Sequence, residues 1–282
     1  MARPHIKLLR ITGTILALAC GSVHVAGADQ SPSSTDAAEA VNLPVQQVAP
    51  PAAEQFRDID PIALYGGDIV FDVYRKKSRI GEHRVSFQRD GDRLTVSVKF
   101  NLAVKILFIR AYKFEYEATE IWERGNLIAA TSRTDDNGKV SNVRARSEGG
   151  VFVIDGPRGQ EIASSWVFPS NHWNRGQVAS TTLLNTITGR LAHVALIRNG
   201  IDRVETAQGP VNAEHFTYTG DLRDTDVWYD QAGRWVKMVF KTGGSVIEYR
   251  CRQCSPLEDA QLQASAAKDG EIQPVVTPGT AP

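Results

Sequence analysis

Cysteine and methionine are scarce in this sequence, with three and two among 282 residues, and neither sign of charge is in excess. A formal net charge of zero argues against a nucleic-acid binder, which would carry a basic stripe. Acids and bases are instead interspersed, as on an ordinary solvated surface. No stretch reaches the roughly 20 apolar residues that a transmembrane helix needs. The sequence also lacks a GxSxG nucleophile elbow, a glycine-rich phosphate loop ahead of a helix and an HExxH pair. Hydrolase, nucleotide-dependent and metalloprotease chemistry lose their usual support, and no cofactor is implied. Asp221, Asp224, Asp226 and Asp230 are close in sequence, but Arg223 lies among them and the spacing is not that of a calcium loop. They read first as turn formers and solvated positions.

What is present begins with an export signature. Arg3, Lys7 and Arg10 precede an uncharged run from Ile11 to Val25, which ends at Ala26-Gly27-Ala28. A basic start, a short apolar segment and a small-x-small site predict a signal peptide over 1–28, with the mature chain starting at Asp29. The alternative is a lipoprotein anchored through Cys20, against which Ala17 stands where a lipobox has Leu. Cleavage removes three basic groups and no acid, so the mature net charge is about −3. The expected location is the periplasm or the exterior.

Residues 29–61 are rich in Ser, Ala, Gln, Val and Pro and predict a flexible linker, because such a composition buries too little surface to offset ordering entropy. At the other end, Ser255 and Pro256 suit the start of a short helix over 257–268, and a disordered tail follows to 282. Between them, 62–254 is read as one β domain.

Its dominant period is two. Leu94, Val96, Val98 and Phe100 alternate with polar residues, and Tyr112, Phe114, Tyr116 and Ala118 oppose Lys113, Glu115, Glu117 and Thr119. Further strands are expected over 69–73, 80–88, 128–133, 140–146, 151–154, 194–198, 215–219, 226–229, 235–241 and 245–250. Asp90-Gly91, Asn137-Gly138, Gly149-Gly150, Asn199-Gly200, Ala232-Gly233 and Gly243-Gly244 supply residues that tolerate positive φ, so consecutive strands are predicted to be hairpin neighbours. The fold expected is mainly β: a single antiparallel, strongly curved sheet or open barrel. Only 177–188 hints at a helix, with Leu184, Ile187 and Leu191 at helical spacing. The run Leu102 to Ile109, apolar on both faces apart from Lys105, fits a strand covered on both sides or an exposed lip.

Cys251-Arg252-Gln253-Cys254 is the most specific local motif. An exported chain has lost Cys20, and the remaining pair is expected to form a disulfide in an oxidising compartment. Thioredoxin-like catalysis would need the first cysteine at a helix N-terminus. A zinc site would need two further ligands that no second CxxC or HxxxH supplies. The mature histidines, His83, His172, His193 and His215, show no metal-ligand spacing. His172 stands out because it follows Pro169 in a loop, where polar groups tend to carry function. Trp122, Trp166, Trp173, Trp228 and Trp235 either line an apolar cavity or cover the concave side of a curved sheet.

The segment Val227-Trp228-Tyr229-Asp230-Gln231-Ala232-Gly233-Arg234-Trp235-Val236-Lys237-Met238 resembles the closing hairpin of the uncharacterised bacterial DUF6134 and DUF3108 families. So do Thr219-Gly220-Asp221-Leu222, Ile80-Gly81-Glu82-His83, Trp122-Glu123-Arg124-Gly125-Asn126-Leu127, Trp173 and Thr188-Gly189. The resemblance implies an exported protein with a curved antiparallel sheet or open barrel, an architecture also seen in periplasmic lipoprotein carriers. It implies no activity and no functional residues. In the hairpin, alternation places Val236, Met238 and Phe240 on one face and Trp235, Val239 and Lys241 on the other. Together these features predict a non-enzymatic envelope protein that binds an apolar, lipid-like ligand or a protein partner on its concave face. A periplasmic enzyme built around His172 and a purely structural module are the alternatives.

Overall fold

A computed structural model describes residues 59–106 and 109–256, the side chains of 105, 106, 109 and 110 excepted. The predicted signal peptide, most of the linker and the tail from 257 lie outside the described residues. Among the described residues no helix is long and apolar enough to cross a membrane.

The chain opens with a short helix, α1 (Pro61–Tyr65). Asp60 caps it by accepting from the Ile62 amide at 3.1 Å, and Gly66 ends it in a left-handed conformation. Fifteen strands follow in one sheet. They are β1 (Ile69–Arg75), β2 (Ser78–Asp90), β3 (Arg93–Ile106), β4 (Ile109–Glu123), β5 (Asn126–Asp136), β6 (Lys139–Glu148), β7 (Val151–Gly156) and β8 (Gly159–Ala163). Then come β9 (Phe168–Pro169), β10 (Thr182–Asn185), β11 (Arg190–Thr206), β12 (Gly209–Gly220), β13 (Thr225–Asp230), β14 (Trp235–Thr242) and β15 (Ser245–Gln253).

The order across the sheet runs from β8 down to β1, then from β15 down to β9. Sequential neighbours therefore pair throughout except at one seam, where β1 lies antiparallel to β15. The curved antiparallel sheet expected from period-two alternation is present, and five of the six predicted glycine turns join consecutive strands. The sixth is a correction. Asn199-Gly200 lies inside the long strand β11, where the register against β12 shifts between Arg198 and Gly200. The permissive backbone there serves a bulge that bends the strand instead of reversing it.

The edge strands do not pair with each other, yet the two ends of the sheet meet. Asn185 accepts from the amides of Ile187 and Thr188 through its side chain, shaping the turn between β10 and β11. That turn reaches across the interior. The Ser132 hydroxyl on β5 donates to the Thr186 carbonyl, and Arg190 pairs with Glu161 of β8 at 2.6 Å. Gly189 (φ 68°) packs so closely on Gly156 that an added Cβ would lie 2.7 Å from the Gly156 Cα. Backbone meets backbone there, so both positions require glycine. The barrel is closed by a turn and side chains, not by a hydrogen-bond ladder.

The helix expected over 177–188 does not form. Asn174 caps a 3₁₀ turn at Arg175–Ala179, and Thr182–Asn185 is strand β10. Leu184 lies on β10, Ile187 in the following turn and Leu191 on β11, so their helical spacing is coincidental. The apolar run Leu102 to Ile109 straddles the β3–β4 hairpin, with Ile106 opposite Ile109. Leu102 is buried, and the side chains beyond Val104 lie outside the described residues.

Candidate functional site

The interior is organised around the segment 170–174, which enters the barrel after β9. Its polar groups are matched one by one. Glu120 is fully buried on β4, in phase with Tyr112, Phe114, Tyr116 and Trp122 on the apolar face. Its carboxylate accepts from Trp122 Nε1 at 2.9 Å, Trp173 Nε1 at 2.9 Å and Asn171 Nδ2 at 2.5 Å. Burial pushes the Glu120 carboxyl above the usual range, and the three donors work against that shift. The Tyr116 hydroxyl lies 2.6 Å from Thr186 Oγ1 and 3.0 Å from Asn171 Oδ1. Tyr65 of α1 donates to the Trp173 carbonyl at 2.7 Å and accepts from the Trp235 amide at 3.0 Å. Tyr229 donates to the His172 carbonyl at 3.0 Å. The segment is thus pinned from three sides.

Beside it lies a cavity of about 70 Å³. Phe100, Phe114, Trp235, Met238, Phe240 and Tyr249 give it an apolar wall, and His83 and His172 line it as well. Trp235 packs on both imidazoles, with ring centroids 5.4 Å from His83 and 5.5 Å from His172. Both rings are buried, and burial holds His83 down to a pKa of about 3 and His172 to about 4. Neither nitrogen of His83 has a hydrogen-bond partner, nor does Nδ1 of His172. His172 also adopts φ 61°, a left-handed backbone that His, Asn and Asp tolerate better than most residues. Two larger recesses, of about 410 Å³ at Arg89 and Arg124 and about 910 Å³ over β4–β6, have no unpartnered buried polar side chain in their walls among the described residues.

The tryptophans separate into three places. Trp122 meets Trp166 and Trp173 edge-on at 5.6 and 5.5 Å, and Phe168 packs on the same cluster at 6.0 Å from Trp122. Trp166 also donates to Asn126 Oδ1 at 2.8 Å. Trp235 lines the cavity together with Met238 and Phe240, which corrects its expected place on the opposite face. The register of β13 against β14 shifts so that Trp235 faces Tyr229 while Lys237 faces Trp228. Val236 is the extra residue, and a bulge reverses the alternation on its N-terminal side. Trp228 is buried in a different way: His215 stacks on it at 4.2 Å, Lys237 covers its ring at 4.6 Å, and it donates to Asp202 at 2.8 Å.

The remaining candidates disperse. His215 bridges Asp202 and Asp226, His193 is exposed on β11, and Asp230 is buried against Arg234 at 2.7 Å. Asp221 accepts from the His193 amide at 2.8 Å, and Asp224 is an exposed turn residue at φ 66°. Among the described residues no group of three or more His, Cys, Asp or Glu could hold a metal ion. Cys251 and Cys254 form a disulfide with Cα atoms 6.0 Å apart. Cys251 belongs to a strand, not to a helix N-terminus, and Gln208 accepts from the Cys254 amide at 2.7 Å. Neither cysteine lines the cavity.

Two buried polar positions of the interior escaped the sequence reading. Glu120 continues the period-two series Tyr112 to Ala118 onto the apolar face, a signal that was available. His83 falls on the inward phase of β2 with Val85, but nothing local tells that its nitrogens find no partner.

Residues 71–252 match the family described as domain of unknown function DUF6134. No curated protein matches the chain. Among solved structures, it is similar to a β-barrel-like protein of domain of unknown function DUF1849 from Brucella abortus, at 11% identity and a TM-score of 0.48, over 67% of this chain and 96% of that one. The DUF3108 part of the expected resemblance has no counterpart in these matches. The match covers well over half of the sequence, and the chain belongs to the DUF6134 family.

Proposed function

We propose that this chain is an exported, non-enzymatic binding protein whose ligand occupies the cavity between His83, Trp235 and His172. The observation that carries this reading is His83. A buried imidazole with two unsatisfied nitrogens costs stability, and a phenylalanine would fill the same aromatic nest of Phe71, Phe100, Trp235 and Tyr249 without that cost. A residue that weakens the fold at the wall of a cavity points to a role in binding.

Size limits the ligand. Drug-sized ligands occupy roughly 300 to 1,000 Å³, whereas this cavity is about 70 Å³. A whole acyl chain does not fit; a small molecule or the tip of a larger one does. The enzymatic alternative would be favoured by a carboxylate in reach of His172. Among the described residues none hydrogen-bonds to it, and its ring packs on Tyr218 and Trp235.

Xenon is a suitable first probe, because it enters apolar cavities. Under xenon pressure the indole signal of Trp235 and the methyl signal of Met238 are expected to shift saturably in an NMR spectrum. Unmoved signals would remove the binding reading. Export is supported by the basic-then-apolar start and by a disulfide that suits an oxidising compartment. The full chain expressed in a Gram-negative host should be recovered from the periplasm with the mass of a chain beginning at Asp29. An intact Met1, or a lipid mass on Cys20, would contradict this.

A further inference from the structure

The walls of the His83 cavity carry no formal charge. No Asp, Glu, Lys or Arg lines it, and its polar contributions come from imidazole, hydroxyl and amide groups. Several of these are already engaged: Tyr116, Asn171 and Thr186 bond one another and Glu120. What remains is His83, with both nitrogens unpaired, Nδ1 of His172, and the hydroxyls of Ser170, Thr225 and Tyr249, all neutral groups. A carboxylate, phosphate or ammonium group would enter such a site without a counter-charge and lose its hydration. A neutral imidazole offers one N–H donor and one bare nitrogen acceptor, and a hydroxyl is the smallest group that answers both.

On the binding reading above, we infer that the ligand of this cavity is a small neutral alcohol. Its hydroxyl exchanges a hydrogen bond with an imidazole nitrogen, and its hydrocarbon part lies against Phe100, Trp235 and Met238. The nitrogens lie in the wall, and rotation about the Cβ–Cγ torsion, which is broad for histidine, turns one toward the open space. Burial that keeps both rings uncharged at neutral pH supports a neutral partner. The small volume selects a molecule of a few heavy atoms.

The test compares three probes of four heavy atoms each on the purified mature chain: isopropanol, acetone and acetate, followed through the side-chain nitrogen signals of His83 and His172. Isopropanol should shift them saturably. Acetone, which only accepts, should bind several-fold more weakly, and acetate should give no saturable shift. His83→Phe should weaken isopropanol about five-fold, the worth of one hydrogen bond, without lowering xenon occupancy or the thermal midpoint. If His83→Phe fails to fold, His172→Asn, which suits the left-handed backbone there, provides the same readout. Acetate binding as well as isopropanol, or an isopropanol affinity untouched by the variants, would overturn the inference while xenon entry still upheld a binding site. Exclusion of xenon and isopropanol alike would overturn both readings.

Discussion

Substituting Glu120 by glutamine is expected to lower the unfolding free energy by about 3 kcal/mol, the scale of leaving buried polar partners mismatched. The carboxylate accepts from two indole N–H groups and one amide N–H. Glutamine has one acceptor oxygen, and wherever its NH₂ points it meets another donor. Glu120→Ala would instead leave all three donors unpaired in an apolar interior. Urea unfolding should show the midpoint falling with the slope unchanged. A loss below about 1 kcal/mol would mean that water or a rearranged Asn171 replaces the carboxylate, since that is the net worth of an ordinary hydrogen bond. Because Asn171 and Trp173 flank His172, the variant should also loosen the wall of the cavity, seen as faster hydrogen exchange over 170–174.

The second large effect is acid destabilisation with a slope set by two histidines. Their folded pKa values are about 3 for His83 and about 4 for His172, against 6.5 when unfolded. Between about pH 4 and 6.5 the unfolded chain therefore binds protons that the folded chain refuses. Stability must rise with pH across that window, and it is lost as pH falls below 6.5. At pH 5 the loss is about 2 kcal/mol per histidine, at about 1.4 kcal/mol per pH unit. Glu120 contributes with the opposite sign, because its folded pKa is raised and the folded state holds a proton more readily. The assignment is therefore made with variants. His83→Phe and His172→Asn should each remove about half of the midpoint change between pH 7 and pH 5, and His83→Phe should be no less stable than the native chain at pH 7. Parallel pH profiles for native protein and both variants would refute it.

Much of the sheet was legible because alternation is a direct record of which face is buried. Tyr112, Phe114 and Tyr116 point inward and Glu115 and Glu117 outward, as their types require, and glycine pairs mark most of the reversals. The failures have a common cause. A bulge costs only one residue, so nothing in Asn199-Gly200 separates a bend from a turn, and nothing in Val236 announces that the face of Trp235 is reversed. The region 175–191 was misread because three leucine and isoleucine positions matched a helical period by chance while capping and β-pairing decided the outcome. The site was partly visible. His172 was singled out for its loop and does line the cavity, but its partner in the wall, His83, and its anchor, Glu120, lie on strands some fifty or more residues away in sequence. Only closure of the sheet brings them together.

That closure also sets how the domain answers force. The chain enters β1 and leaves β15 at the same end of the seam, with Val70 opposite Gln253. A pull on the two ends peels the β1–β15 ladder open one bond at a time, because the load falls on a single rung and not on all of them in shear. The aromatic nest behind the seam, Phe71 against Trp235 and Tyr249, would be the next thing exposed. Under load applied at the two ends of the seam, the cavity beside Trp235 lies directly in the path of that tension.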